Sequence, residues 1–146
     1  MTTNPNLDAG TSVHFRLTVD NADMGLFSTC SGLGIEVETE TFKEGGNNAY
    51  AHILPTRLNF SNVQPTRALV PQSAEITNWI NTITTGIQRP TVEICALRPD
   101  QSLIVRWTLY NALPTRWTAP QFDPSRGEAA FELVEIAYSY FTAAGE

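Results

Sequence analysis

The chain has 146 residues and a mass of 16.1 kDa, is 42% hydrophobic and 10% aromatic, and carries a formal net charge of −6 with a pI near 4.8. That length and apolar content suit one domain with its own packed core, which excludes a disordered chain and any need for a metal or disulfide to hold the core together. Eight arginines and the single Lys43 form no cluster, which excludes a surface built to track nucleic-acid phosphates.

In chain order, the polar start from Met1 to Gly10 contains Pro5 and reads as a flexible or interface arm, with no signal peptide. Val13, Phe15, Leu17 and Val19 then alternate with His14, Arg16, Thr18 and Asp20, a period of two that predicts a half-buried strand. Asp20 to Asp23 with Gly25 predicts a turn, Leu26 to Cys30 a short second strand, and Ser31-Gly32-Leu33-Gly34 a kink or bulge. From Ile35 to Phe42 the alternation puts Glu36, Glu38 and Glu40 on one face and Ile35, Val37, Thr39 and Thr41 on the other. The expectation is a strand with one buried and one carboxylate-lined face.

Residues 43–57 read as a long ordered loop. Glu44-Gly45-Gly46-Asn47-Asn48 is turn chemistry, Pro55 is a breaker, and Tyr50, Ile53 and Leu54 follow no period. A loop of this length in a compact domain is uncommon and tends to carry function. Leu58 and Phe60 resume a strand. Residues 71–85 are the one convincing helix: Ile76, Trp79, Ile80 and Ile83 fall at i, i+3, i+4 and i+7, with Pro71 and Ser73 at its start and Gly86 at its end. Thr91–Leu97 and Ser102–Tyr110 form a hairpin around Arg98-Pro99-Asp100-Gln101. Residues 111–127 are loop with a short strand near Trp117, and Phe131–Phe141 is a final long strand, with 142–146 frayed or an interface arm. Leu54-Pro55-Thr56-Arg57 recurs as Leu113-Pro114-Thr115-Arg116, with Pro65-Thr66-Arg67 as a partial third copy; each reads as a strand-entry turn. The sum is a single α+β domain over 1–146, mainly β, an antiparallel sandwich or barrel with one flanking helix.

Chemistry is sparse. His14 and His52 are the only histidines, and Cys30 and Cys95 stand far apart with no second cysteine near either, so both read as buried free thiols. No nucleophile elbow, zinc-binding helix, phosphate loop or dinucleotide turn is present. The carboxylate row of Glu36, Glu38 and Glu40 reads as a solvated face or the wall of an aqueous channel. No catalytic residue, cofactor or metal site is expected. No apolar run approaches the roughly 18 residues needed to span a membrane, and the chain is expected to be made in the cytoplasm.

The order of motifs resembles one family. Phe15-Arg16-Leu17-Thr18-Val19 is followed by Gly25, Phe27, Ser31-Gly32-Leu33 and the Glu-bearing strand. Then come Glu44-Gly45-Gly46-Asn47, His52-Ile53-Leu54-Pro55, Trp79-Ile80 and Gly86, a strand–turn–strand ending in Trp107, Asn111-Ala112-Leu113-Pro114-Thr115-Arg116-Trp117, and a last strand with Glu132 and Glu135. This is similar to the inner tube proteins of contractile tails: the T4-like phage tail-tube family and its relatives in extracellular contractile injection systems and R-type tailocins. The resemblance implies a structural subunit that is not an enzyme, six copies to a ring, and rings stacked into a hollow tube inside a contractile sheath. It further implies sheath, baseplate or spike and cap proteins as partners, effector cargo in the lumen, and assembly into a phage tail-like particle. It gives the loop Glu44, Gly45, Gly46, Asn47, Asn48, Tyr50, His52, Ile53, Leu54 and Pro55 an inter-ring or inter-subunit contact. Strands lining the lumen are also implied, with Glu36, Glu38 and Glu40 as the candidates. Two alternatives stay open: a type VI-like secreted ring protein doubling as an effector chaperone, and a monomeric β-barrel enzyme or ligand binder, which would need a concave pocket with convergent polar groups.

Overall fold

The computed structural model describes residues 13–43, 50–86, 88–119 and 130–145. The predicted alternation at the start becomes β1 (His14–Val19), with Leu17 and Val19 turned into the core. Asp20 and Asn21 both adopt left-handed backbone, φ 46° and 69°, and Val19 pairs directly with Ala22, the first residue of β2 (Ala22–Phe27). The type I′ two-residue hairpin turn has positive φ at both positions, which Asp and Asn tolerate. The turn is therefore tighter than the expected one, and the second strand starts at Ala22 instead of Leu26.

After β3 (Thr29–Ser31) come β4 (Gly34–Phe42), β5 (His52–Ser61) and β6 (Gln64–Ala68). Helix α1 (Ser73–Asn81) runs into a 3-10 turn (Thr82–Thr84). Strands β7 (Val92–Leu97), β8 (Leu103–Tyr110), β9 (Leu113–Thr118), β10 (Phe131–Ala137) and β11 (Tyr140–Gly145) complete the order. A five-stranded sheet, β11-β8-β7-β1-β2, and a four-stranded sheet, β3-β6-β10-β9, form the body, while among the described residues β4 and β5 pair only with each other. Leu17, Phe27, Val63, Ile94, Leu109, Val134 and Ile136 are almost fully buried between the two sheets. On α1, Ile76 is fully buried and Trp79 and Ile80 pack against the core, and in the 3-10 turn that follows Ile83 is half-buried. The apolar stripe therefore faces β2 and β9, the strands that α1 touches. Ser73 helps fix the entry: its Oγ accepts the Val70 N–H at 3.1 Å.

Three expectations are corrected. Residues 52–57 are not loop: β5 begins at His52 and pairs with β4 from Phe42↔His52 to Gly34↔Ser61. The described part of the expected loop is instead the upper part of a long hairpin; residues 44–49, with Glu44 to Asn48 of that loop, lie outside the described residues. Secondly, the final long strand is two. Ile136 and Ala137 end in the four-stranded sheet, and Tyr140 restarts in the other, paired with Tyr110. The break at Tyr138–Ser139 lets one segment close a corner between sheets, which an unbroken period of two conceals. Thirdly, residues 142–145 are not frayed, since they pair along β8 from Thr142↔Thr108 to Gly145↔Val105.

The Pro-Thr-Arg repeats are also not turns. In β5, Glu38 faces Arg57 and Thr39 faces Pro55, so Thr56 is a bulge residue. In β9, Glu135 faces Arg116 and Ile136 faces Pro114, so Thr115 is one too. A bulge is where a strand tolerates proline, which has no N–H to give the ladder. In both copies the threonine hydroxyl donates to the carbonyl of the opposite glutamate, Thr56 to Glu38 at 3.1 Å and Thr115 to Glu135 at 3.2 Å. The arginine meets the same glutamate's carboxylate, Arg57 at 3.1 Å and Arg116 at 3.8 Å. The third copy, in β6, keeps the pairing of arginine with glutamate, Arg67↔Glu132, without the bulge.

Candidate assembly surface

Because each strand of a two-stranded ribbon has one partner only, side chains on both faces of β4–β5 depend on what lies above and below. One face carries Ile35, Val37, Thr39 and Thr41 of β4 opposite Phe60, Leu58, Pro55 and Ile53 of β5. The expectation that this face is buried is corrected: Ile35 is 53% exposed, Val37 48%, Leu58 53% and Ile53 69%. Among its apolar members, Phe60 at the base is the one packed into the body, against Tyr138 and Phe141. A ribbon with an apolar face this open, on a chain with a well-filled core of its own, is a candidate interaction surface.

The opposite face holds Glu36, Glu38 and Glu40, all exposed. Glu38 meets Arg57 at 3.1 Å and accepts a 2.6 Å hydrogen bond from Asn59 Nδ2. Glu36 faces Asn59 and Glu40 faces Leu54. Towards the tip, Tyr50 is 63% exposed and meets the His52 ring edge-on at 5.4 Å. His52, Leu54 and Pro55 are exposed on β5. The described part of the expected contact loop, Tyr50 to Pro55, is thus gathered at the far end of one projecting arm, and the three glutamates lie along that same arm.

Chemistry of other kinds finds no constellation. Among the described residues no group of three or more His, Cys, Asp and Glu is placed to hold a metal ion, and no helix is long and apolar enough to cross a membrane. A groove of about 300 Å³ at the arm's base is lined by Gly34, Ile35, Glu36, Asn59, Phe60 and Ser61; Glu36 is its one titratable group, so it lacks the convergent set a catalytic pocket needs. Cys95 is a buried free thiol as expected, whereas Cys30 is a half-buried one; desolvation of its sulfur pushes Cys30 up to about 12 from an ordinary value of 9.0. The folded chain holds that proton more tightly than the unfolded chain. Its contribution to stability is therefore complete below about pH 9 and is lost as pH rises toward 12. Native protein at pH 8 is expected to leave Cys30 unalkylated by iodoacetamide while denatured protein reacts fully; rapid labelling of native Cys30 would contradict this burial.

A profile of the T4-like virus tail tube protein gp19 family matches residues 11–142, nearly the whole chain. The chain belongs to the T4-like virus tail tube protein gp19 family. This tail tube family is structural and non-enzymatic. Solved structures share the fold over the full length. A chain of the PVC sheath–tube complex of an extracellular contractile injection system, in the extended state, superposes with TM-score 0.79 at 20% identity and 100% coverage of both chains. A chain of the anti-feeding prophage cap, the tube-terminating cap, gives 0.80 at 22% identity, covering 100% of this chain and 95% of its own. A chain of the anti-feeding prophage baseplate, six-fold symmetrised, gives 0.76 at 22% identity with 99% and 98% covered. No curated protein matches the sequence.

The alternation missed two features of this tail tube subunit. Arg67 and Glu132 are an ion pair inside the body, 3% and 1% exposed and 2.5 Å apart. Trp117 Nε1 donates to the other Glu132 oxygen at 3.0 Å, Arg67 donates to the Met24 carbonyl at 2.5 Å, and its guanidinium lies over the Phe27 ring. The pair thereby ties β6, β10 and β9 of one sheet to β2 of the other. Gly25, φ 96°, leaves room for it: a Cβ there would sit 2.6 Å from the Arg67 guanidinium. The second is the exposure of Ile35, Val37 and Leu58. The only sequence signal was that the same strand carried a full row of carboxylates on its reverse.

Proposed function

We propose that this tail tube subunit closes with identical copies into six-membered rings and that the rings stack into a hollow, rigid tube within a contractile injection system. Contraction of an outer sheath drives the tube through a target envelope, and the channel conveys cargo. The observation that carries this reading is the open apolar face of the β4–β5 arm, which supplies each subunit with a surface that a neighbouring copy covers. With that face docked, Glu36, Glu38 and Glu40 on the reverse stay in water. Along a channel wall they repel acidic cargo and keep it from sticking. The arm's far end, Tyr50, His52, Ile53, Leu54 and Pro55 together with Glu44, Gly45, Gly46, Asn47 and Asn48, makes the contact with the adjacent ring. Sheath, baseplate and cap proteins are the partners, in keeping with the assemblies that contain the similarly folded chains. The chain works as part of a tail-like particle.

Replacing Tyr50 and Leu54 together by Ser tests the role of the tip. Both are largely exposed, so the subunit is expected to keep its thermal midpoint within a few degrees while ring stacking is lost, read as the disappearance of fast-sedimenting species. Tubes of unchanged length and yield would refute the contact.

A further inference from the structure

We propose that the root of the β4–β5 arm is a locked joint, so that the free subunit presents the arm already folded and aimed, and that Gly32, Ser61 and Phe60 are positioning residues for assembly. This rests on the arm being the assembly surface but concerns what holds it before any neighbour arrives.

Both legs of the arm are tied into the body within a few residues of leaving it. On one leg, Ser31 pairs with Gln64 as the end of β3 against β6. On the other, Val63 is fully buried and exchanges two backbone hydrogen bonds with Ile136, at 3.0 and 2.9 Å. The segments that make β3 and β6 in the body thus continue as β4 and β5 in the arm, and the joint lies between, at Gly32–Leu33 and Asn62. There the two backbones nearly touch. Gly32 has φ 84°, and a Cβ on it would overlap the Asn62 carbonyl oxygen and come within 3.6 Å of the Val63 Cα. Only glycine accepts both the left-handed conformation and the approach. The Ser61 hydroxyl donates to the Gly32 carbonyl across the same gap.

Two legs alone would leave the ribbon free to swing about the line joining them. The third support lies off that line. Phe60 projects from the arm's apolar face and meets Phe141 edge-on at 5.3 Å and Tyr138 at 6.0 Å, while Tyr138 and Phe141 are 6.0 Å apart. Tyr138 sits at the break between β10 and β11, and Phe141 lies in β11, so the cluster braces the arm against a corner where the two body sheets meet. Three supports, two at the legs and one to the side, define an orientation. The consequence is energetic: ordering a free segment costs about 1–2 kcal/mol per residue, and an arm ordered beforehand spares association that cost.

Hydrogen exchange on the free subunit tests this, using the Tyr50→Ser/Leu54→Ser variant, which alters the tip and nothing in the joint. Ladder amides of β4 and β5 are expected to exchange on the order of a hundredfold more slowly than in an unstructured peptide. Gly32→Ala, and separately Phe60→Ala, is expected to remove most of that protection while leaving amides of β7 and β8 unchanged. In the otherwise native sequence each is expected to raise the concentration needed for assembly roughly tenfold or more. Arm amides that exchange at peptide rates with an intact joint would overturn the proposal, as would an undiminished arm in both joint variants. Neither reading depends on tubes being formed: a protected arm on a chain that never assembles would instead contradict the proposed function and leave the joint standing.

Discussion

Replacing Arg67 by Met is expected to cost about 3–5 kcal/mol of folding stability, because it leaves the Glu132 carboxylate buried without its cation. The pair is 3% and 1% exposed, so neither water nor a surface rearrangement can compensate. Glu132→Leu is expected to cost a similar amount by the mirror argument: the Arg67 guanidinium stays, and Trp117 Nε1 loses its acceptor. The double variant separates the loss of the pair from the burial of an uncompensated charge. Replacing both charges together by apolar groups is often close to neutral, offset here by the loss of partners for Trp117 Nε1 and the Met24 carbonyl, at about 1–3 kcal/mol for each group left unsatisfied. Arg67→Met/Glu132→Leu should therefore cost less than the two single changes added together. Urea unfolding of the dilute subunit reads all three; additive losses would show that the two charges act independently.

Introducing Asp at both Val37 and Leu58 is expected to abolish assembly while barely touching the subunit. The two side chains face each other across the ribbon and are 48% and 53% exposed, so in the isolated chain the new carboxylates stay hydrated and the thermal midpoint moves by a few degrees at most. In a tube each would be desolvated against a neighbour, at several kcal/mol per ion, and every 1.4 kcal/mol is about tenfold in affinity. Sedimentation is expected to show the slow subunit alone. Tubes in normal yield would mean that the apolar face is not an interface.

The body of the fold was legible because its strands alternate and its helix carries an i, i+3, i+4 stripe; Leu17, Val19, Ile76 and Leu109 are buried where periodicity put them. The arm was legible only in part. Period two identifies the apolar side of Ile35 and Val37, but the same pattern fits a face covered by its own chain and one awaiting another. Pro55 was misread as a breaker because a bulge at Thr56 lets the strand pass through it, and bulges leave no periodic trace. The break at Tyr138–Ser139 was hidden for the reverse reason: apolar residues continue across it while the chain changes sheets. Arg67 looks like a solvated charge in sequence. What distinguished it was membership of a motif whose two other arginines also meet glutamates, a regularity visible in the sequence once the pairing across strands is known.

Both assembly variants presuppose that the unaltered chain builds a channel from copies of itself. Electron microscopy of the purified protein, concentrated without any other component, measures that directly. Annular particles of six-fold symmetry and hollow rods of stacked annuli, with the β4–β5 ribbon covered by adjoining subunits, are the expected image. Single subunits at every concentration, with Ile35, Val37 and Leu58 still in contact with solvent, would contradict it.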